Sequence, residues 1–416
     1  MSALNRPSDI SGELLDQTRA TYRRWFGPSY DTGALDVILA AAAASKLSGD
    51  PAWVLLVGGS GAAKTESIMP LVAAGGKAVS TISGEAALLS GTSKKDRSES
   101  ATGGLLREMG NDGILIIKDV TSILSMNRDT RGLVLAALRE IYDGYWSRNV
   151  GTDGGQTLVW RGRLVLIGGV TTAWDAAHAV ISSMGDRFVL VRLGGDVETR
   201  RASGRQAMRN TGAEREMRDE LCSIVEKLIG TVMPAMPIEL TDDEIDELLD
   251  ISDLVTRART GVERDFQGNP AFAHALEMPT RFAKQLVAIV RGGMALGMSR
   301  KYAMIVALRA AGDSMPPLRL KMISDIAKHP MSKTADVVKR LQLPRQTVDR
   351  TLQEMHLLGL LVVDEEPYGA EGRVRWIYSL ADEVSAETIA NLTRNVTRGT
   401  GTDPSAPEMS LPPLET

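Results

Sequence analysis

A glycine-rich segment that ends in lysine and threonine carries the clearest chemistry of the sequence. Its residues are Gly58, Gly59, Ser60, Gly61, Ala62, Ala63, Lys64 and Thr65. The apolar run before it, residues 52–57, predicts a buried strand, and the residues after it predict a helix. Backbone N–H groups of such a turn, together with the N-terminus of the helix, bind phosphate groups. The pattern therefore predicts a P-loop for ATP, in which Lys64 contacts the outer phosphates and Thr65 binds Mg²⁺.

One residue of this segment departs from the usual P-loop pattern. Ala63 stands where that pattern has the glycine before the lysine. We expect the methyl group to be tolerated as long as the φ angle of Ala63 stays negative. A glycine-rich turn with no ligand is the alternative interpretation.

A second apolar run, residues 114–117, leads to Asp119. A carboxylate at the tip of a buried strand beside a P-loop is predicted to bind Mg²⁺, although a core strand can also end in Asp by chance. ATPases usually have a Glu next, as the base that activates water, but Val120 stands there. Glu85, Glu140 and Asp143 are alternative bases, and the sequence does not choose among them. Slow hydrolysis, or a switch gated by ATP binding alone, also stays open.

The elements around these motifs predict an α/β protein with a parallel sheet. Strand-like runs at residues 78–83, 114–117, 164–167 and 188–191 alternate with helix-like segments, among them residues 64–74, 132–142 and 174–183. From about residue 196 the strand signals stop, which predicts an all-helical region. The predicted divisions are N-terminal helices (1–50), an α/β core (51–199), a helical lid (200–316), a winged helix (317–384), and a C-terminal helix with a disordered tail (385–416).

Composition limits the function classes. The 416 residues carry a net charge of -4 and only 4% aromatic residues, so DNA contact must come from local patches. The single cysteine, Cys222, cannot form an internal disulfide. The apolar run at residues 37–44 is too short to cross a bilayer. We therefore expect a cytoplasmic protein with no membrane partner.

The order of parts resembles the AAA+ ATPases of the pre-sensor-1 hairpin clade, to which the minichromosome-maintenance helicases belong. Residues 138–144 end a helix, residues 147–160 predict a β-hairpin, and residues 164–171 predict the sensor-1 strand. The resemblance implies that the hairpin grips DNA through Arg148 and either Arg161 or Arg163. A plain surface hairpin is the alternative.

Two more segments carry the same resemblance. Gly185-Asp186-Arg187-Phe188 looks like the segment that holds the arginine finger, which implies that Arg187 reaches the ATP of a neighbouring subunit. Residues 279–286 look like the sensor-2 helix, which implies that Arg281 touches the γ-phosphate from the lid. Ordinary structural arginines are the alternative at both places. Sensor 1 usually offers Asn, whereas Thr171 stands in that region.

The segment after residue 317 resembles a winged helix-turn-helix. It predicts helices at residues 318–329, 332–341 and 345–358, followed by a two-stranded wing at 360–363 and 373–378. The third helix of DNA-binding members enters the major groove. The predicted DNA contacts are Lys333, Arg345, Gln346, Thr347, Arg350, Arg373 and Arg375. Winged helices that only bind proteins are the alternative.

Together with the predicted ATP and Mg²⁺ site, these resemblances imply an AAA+ ATPase that forms a homo-oligomer such as a hexameric ring and acts on DNA. The chain also resembles ATP-binding proteins of phages and mobile elements, which implies a replication helicase, translocase or loader with replication or regulatory protein partners. An ATP-gated DNA-binding regulator of transcription or defence is the alternative, and a scaffold with a degenerate nucleotide site is a third.

Overall fold

A parallel sheet lies at the centre of the α/β part of the chain. The computed structural model describes residues 7–93, 95, 101–176, 186–234, 238–368 and 373–397. Within them the central sheet has five strands in the order β2-β3-β6-β1-β7, all parallel. The predicted α/β class with a parallel sheet is therefore confirmed. The strands are β1 Val54–Gly58, β2 Lys77–Val79, β3 Asp112–Ile117, β4 Tyr145–Val150, β5 Gln156–Arg161, β6 Arg163–Val170, β7 Val189–Leu193, β8 Val262–Arg264, β9 Pro270–Ala273, β10 Ser332–Lys333, β11 Leu361–Tyr368 and β12 Arg373–Leu380.

Helices cover both faces of this sheet. They are α1 Pro7–Phe26, α2 Thr32–Ala44, α3 Lys64–Ile68, α4 Glu85–Leu88, α5 Leu105–Met109, α6 Thr121–Leu124, α7 Arg128–Tyr142, α8 Val197–Arg209, α9 Glu214–Gly230, α10 Asp242–Arg259, α11 Thr280–Ala295, α12 Arg300–Ser314, α13 Pro317–Lys328, α14 Thr334–Leu341, α15 Arg345–Leu357 and α16 Ala386–Thr397. Among the described residues, no helix is both long and apolar enough to cross a bilayer.

Alternate residues of each strand point to opposite faces, so the sheet separates two cores. On β1, Val54 and Leu56 belong to the core formed with α1, α2 and the helices after residue 214. Trp53 and Leu55 belong to the other core, which α5, α7 and the β4–β5 hairpin complete. Burial on both faces explains why these strands are almost entirely apolar.

The N-terminal helices belong to the first of these cores. Every residue of α2 is buried, and a buried ion pair fixes its orientation. Arg19 of α1 donates from Nε and Nη2 to the Asp36 carboxylate, 3.0 Å in each case, and Tyr302 of α12 donates to Asp36 Oδ2 at 2.7 Å. Residues 1–50 and 200–316 were predicted as separate units, but their described parts pack together on one face of the sheet.

Two predicted elements differ from the structure. The helix expected at residues 64–74 stops at Ile68 and continues as a 3₁₀ turn, Met69–Val72, because Pro70 has no N–H group for a helical hydrogen bond. The all-helical region contains the β8–β9 hairpin, which was not predicted. Its turn, residues 265–269, includes Gly268 with a φ angle of 80°, a conformation that favours glycine.

The C-terminal module has the predicted order of elements. Helices α13, α14 and α15 are followed by β11 and β12, and the short strand β10 completes a three-stranded sheet in the order β10-β12-β11. Strand β11 is longer than predicted, because it pairs with β12 as far as Tyr368. The predicted tail after residue 397, Gly185, and residues 177–183 of the predicted helix at 174–183 lie outside the described residues.

Candidate functional site

The glycine-rich segment connects β1 to α3 at the carboxyl edge of the sheet, the edge where the parallel strands end. Lys64 Nζ donates to the carbonyl oxygens of Gly58 and Gly59, at 2.8 and 2.7 Å. Partial burial lowers the pKa of Lys64, and the negative charge of Asp119 opposes this shift. The lysine therefore lies over its own loop, close enough to Asp119 to feel its charge. Thr65 is exposed on the first turn of α3. The other residues of the predicted loop are Gly58, Gly59, Ser60, Gly61 and Ala62.

Ala63 has a φ angle of 55°, so the condition under which its methyl group was expected to be tolerated is not met. This is the left-handed region, where a Cβ atom crowds the backbone and which glycine occupies freely. The loop keeps the conformation that suits the usual glycine although the residue is alanine. Strain at this residue is of the order of 1–2 kcal/mol.

Side chains from distant segments support helix α3. Tyr30, between α1 and α2, shares a hydrogen bond of 2.7 Å with the Ser67 hydroxyl. Arg218 of α9 pairs with Glu66 in the first turn of α3, with Nη2 at 2.7 Å from Oε1. No sequence pattern predicted these contacts, because the partners are far apart in the chain. They make the N-terminal helices and α9 part of the P-loop's surroundings.

Asp119 and Thr65 both lie at the carboxyl edge and both are exposed. Strand β6 runs between β1 and β3, and a Cβ atom placed on Gly169 would lie 3.7 Å from Lys64 Cβ and 2.9 Å from the carbonyl oxygen of Lys118. Asp119 Oδ1 accepts a hydrogen bond from the Thr121 N–H at 2.9 Å. A hydroxyl and a carboxylate are oxygen ligands of the kind that Mg²⁺ prefers, so these two residues fit the predicted metal.

Hydroxyl groups tie the loops of the carboxyl edge together. The N–H of Thr171, just after β6, donates to Thr121 Oγ1 at 3.1 Å. Ser122 Oγ donates to Thr81 Oγ1, in the loop after β2, at 2.5 Å. The Asp-Val-Thr-Ser segment therefore links three successive strand ends. Thr171, which stands in the predicted sensor-1 region, lies next to this segment.

Val120 points away from this edge. Its side chain is 4% exposed and belongs to the core on the second face. A Cβ atom on Gly168 would lie 2.8 Å from Val120 Cγ2, so the valine packs directly on strand β6. A glutamate at this position would enter an apolar core, which makes the valine a structural residue.

The three alternative bases lie in different places. Glu85 begins α4, after the loop that follows β2, and its Oε2 is 3.9 Å from Arg148 Nε. Asp143 is at the end of α7, and its Oδ2 is 3.4 Å from Arg187 Nη2. Glu140 is exposed on the last turn of the same helix. Arg187 precedes β7, which is parallel to β1, so it lies at the amino edge of the sheet, the edge where the parallel strands begin. Its partner Asp143 therefore also lies at the amino edge, away from its own P-loop. Of the three, Glu85 is the one that follows a loop of the carboxyl edge.

Arg187 lies at the amino edge of the sheet, two residues before β7. Its side chain is 12% exposed and is held between the Asp143 carboxylate and the face of the Tyr142 ring, whose centroid is 5.9 Å from Arg187 Cζ. Val54 pairs with Val189 and Gly58 pairs with Leu193. Arg187 is therefore about 20 Å from the P-loop of its own chain, at roughly 3.3 Å per residue.

Arg281, which was predicted to touch the γ-phosphate from the lid, lies far from the glycine-rich segment of its own chain. Arg281 Nη1 donates to the carbonyl oxygen of Asp186 at 3.4 Å, which places it beside Arg187 at the amino edge. Burial lowers the pKa of Arg281, and the positive charge of Arg187 lowers it further. The reason is the path of α11, whose N-terminal end meets the beginning of β7 rather than its end.

An ion pair of a fully buried arginine, which was not predicted, supports Arg187 and Arg281. Arg259, the last residue of α10, is 1% exposed, and its guanidinium donates to both carboxylate oxygens of Glu277, at 2.7 and 2.8 Å. It also donates to the carbonyl oxygen of Phe188 at 3.1 Å and lies over the Phe282 ring. Arg259 therefore connects α10 and α11 to the beginning of β7. Nothing in its local sequence distinguishes it from an exposed helix arginine.

Of the predicted hairpin arginines, the structure leaves only Arg161 on the outer surface. Arg148 donates to the carbonyl oxygen of Leu89 at 2.8 Å and faces Glu85, so its predicted DNA contact does not fit this placement. Arg163 donates to the carbonyl oxygens of Ala44 and Ser45, both at 2.9 Å, and thereby caps the end of α2. Arg161 is exposed and stacks over the Tyr145 ring.

The third helix of the C-terminal module, α15, is covered on one side by the β8–β9 hairpin. Arg350 Nη2 donates to the carbonyl oxygen of Gln267 at 2.6 Å. Glu354 is buried and pairs with Arg264 of β8 and with Arg319, the latter at 3.1 Å. The prediction that Arg350 reads DNA therefore does not hold in this arrangement, because the hairpin occupies its guanidinium.

Other predicted DNA contacts remain at the surface of the module. Arg345 and Gln346 are exposed at the N-terminus of α15, and Thr347 is half-buried. On the wing, Lys333 and Arg375 both pair with Glu366, which lowers the pKa of that carboxylate. Arg373 is exposed at the start of β12.

No family model matches this sequence, and no curated protein matches it. The candidate site is therefore described by its own geometry.

Proposed function

We propose that this chain is an ATPase of the AAA+ type, in which the P-loop at one edge of the sheet is completed by Arg187 and Arg281 of a second copy. The P-loop and Asp119 would bind ATP and Mg²⁺. The bound nucleotide supplies the phosphoryl group, and the metal supplies positive charge beside it. The second copy's arginines would stabilise charge that develops on that phosphoryl group.

One observation supports the shared site above the others. Lys64 and Asp119 lie together at the carboxyl edge, whereas Arg187 and Arg281 lie together at the amino edge of the same sheet. The arginines are too far from their own P-loop to contact its ligand. A head-to-tail arrangement of copies brings one edge to the other, and such arrangements close into rings when the rotation permits.

The P-loop assignment is tested by comparing the affinity for ATP of Lys64→Ala with that of the natural chain. We expect the variant to lose at least about 100-fold in affinity, because charge-assisted contacts to phosphate are strong. Lys227→Ala removes an exposed lysine of α9 and should bind normally. Equal affinity of the natural chain and Lys64→Ala, measured by calorimetry with Mg²⁺, would contradict the assignment.

We further propose that ATP turnover is coupled to DNA, through the C-terminal module and the outer face of the β4–β5 hairpin. The support is the exposure of Arg161, Arg345 and Gln346. Turnover should rise when duplex or single-stranded DNA is added, and Arg161→Ala should reduce this stimulation with no loss of basal turnover. If DNA neither binds nor changes turnover, the role as a helicase, translocase or loader fails.

Two observations favour an ATP-gated DNA-binding regulator as the second candidate function. Val120 is buried where a catalytic glutamate would stand, and Arg350 is held by the β8–β9 hairpin instead of being free for DNA. In such a switch, ATP binding would release α15 with little hydrolysis. DNA affinity that changes with ATP, in a chain with no measurable turnover, would favour this function.

A further inference from the structure

We propose that Phe266, at the tip of the β8–β9 hairpin, docks into a pocket between α12, α13 and α14 of a second copy of this chain. This inference rests on the head-to-tail assembly of the proposed function. It adds an interface that the P-loop and the arginines do not themselves provide.

Phe266 is 96% exposed, although the turn that carries it is held in one conformation. Asp265 Oδ1 accepts hydrogen bonds from the N–H groups of Gln267 and Asn269, both at 2.8 Å. Outside the turn, Arg350 holds the Gln267 carbonyl. A large apolar side chain on an ordered turn loses little conformational entropy when a partner binds it. This combination is typical of an aromatic anchor in an interface.

The pocket has the size and lining that such an anchor needs. Its volume is about 530 Å³, within the range of roughly 300–1,000 Å³ for ligand pockets. Met315, Pro317, Leu320 and Leu341 supply apolar walls. The walls come from the end of α12 and from α13 and α14, so the pocket belongs to the junction between the helical region and the C-terminal module.

The charges of the two surfaces are opposite. Beside Phe266, Asp265 is exposed, and hydrogen bonds from the turn lower the pKa of its carboxylate. The pocket lining contains four basic side chains and two acidic ones: Arg192, Lys321, Lys328, Arg340, Asp313 and Asp325. The lining therefore has an excess of positive charge that would attract the acidic tip.

The positions of the two surfaces agree with a head-to-tail contact. The β8–β9 hairpin begins just after Arg259, which is bonded to Phe188 at the amino edge of the sheet. The pocket includes Arg192, which pairs with Val57 at the carboxyl edge. A contact that brings the arginines of one copy to the P-loop of the next therefore also brings Phe266 of the first copy toward the side of the second copy that carries the pocket.

Cross-linking of two single-cysteine variants tests this contact directly. Phe266→Cys and Lys321→Cys are made in a Cys222→Ser background, since Cys222 is the one natural cysteine. The two variants are mixed with ATP and Mg²⁺ and treated with a short bismaleimide. We expect dimers of unlike chains in the mixture, and few when Phe266→Cys is mixed with Lys227→Cys. Equal cross-linking with Lys321→Cys and Lys227→Cys, or none with either, overturns the proposal.

A second measurement compares Phe266→Asp with Met208→Asp, which alters another exposed apolar residue of the described surface. Sedimentation with ATP and Mg²⁺ should show self-association at least 10-fold weaker for Phe266→Asp and unchanged for Met208→Asp. The proposal is overturned if Phe266→Asp associates as strongly as the natural chain, whether or not this variant has lost DNA binding. If the cysteine variants cross-link as expected while the natural chain has no ATP turnover, the docking surface stands and the proposed ATPase fails.

Discussion

The two edges of the central sheet hold their polar residues in opposite ways. At the carboxyl edge, Asp119 and Thr65 are exposed, and short hydroxyl bridges connect the loops. At the amino edge, the fully buried Arg259 pairs with the partly exposed Glu277 and supports Arg187 and Arg281. In the proposed function, the first edge would present groups to a ligand bound by the same chain, whereas the second would hold arginines for the phosphate site of another copy.

This difference predicts different costs for the loss of a charge. Arg259→Met removes the buried cation that lies 2.7 Å from the Glu277 carboxylate and 3.9 Å from the buried Asp186 carboxylate, so we expect the free energy of unfolding to fall by about 3–5 kcal/mol. Arg218→Met breaks the exposed pair with Glu66 near the P-loop, and we expect a loss below about 1 kcal/mol. Urea unfolding of both variants measures the two losses in the free energy of unfolding. Similar losses for the two would mean that the edges do not differ in the way described.

The carboxyl edge also has a buried residue, and Val120→Glu tests its role. A carboxyl group placed in the apolar core should lower the free energy of unfolding by about 2–4 kcal/mol and should not raise ATP turnover. Ser125→Glu, exposed on the next turn, is the control and should be nearly neutral. A stable Val120→Glu variant with faster turnover would show that the side chain faces the nucleotide.

The smallest expected effect concerns the strain in the P-loop. Ala63→Gly relieves a positive φ angle, and after the entropy cost of glycine we expect a gain of about 0.5 kcal/mol in the free energy of unfolding. Ala62→Gly has no such strain to relieve, so it should lose a similar amount. Thermal unfolding of both variants decides this. A loss for Ala63→Gly equal to that for Ala62→Gly would exclude strain at this residue.

The sequence predicted the carboxyl edge better than the amino edge. The glycine-rich turn between β1 and α3, the strand before Asp119 and the position of Thr171 follow from local patterns, because strand, turn and helix signals act over a few residues. The positive φ angle of Ala63 was missed, since the surrounding loop fixes it despite the methyl group. The end of α3 at Ile68 was also missed, although Pro70 was a signal for it.

The amino edge depends on contacts between segments that are distant in the chain. Arg281 was predicted to touch the γ-phosphate from the lid, and the motif says nothing about where its helix meets the sheet. The contacts of Arg259 with Glu277, and of Arg350 with the β8–β9 hairpin, appear only once the helices are packed. Arg148 and Arg163 were likewise predicted to bind DNA, whereas carbonyl groups of the chain accept their hydrogen bonds.

Mixing two inactive variants tests the shared site most directly. Lys64→Ala lacks the lysine of the P-loop and Arg187→Ala lacks the arginine of the amino edge, so each variant should have little ATP turnover alone. In an equal mixture, about one quarter of head-to-tail junctions combine an intact P-loop with an intact Arg187. We predict turnover near that fraction of the natural chain's rate. A natural chain with no turnover, or a mixture no more active than either variant, would contradict the account.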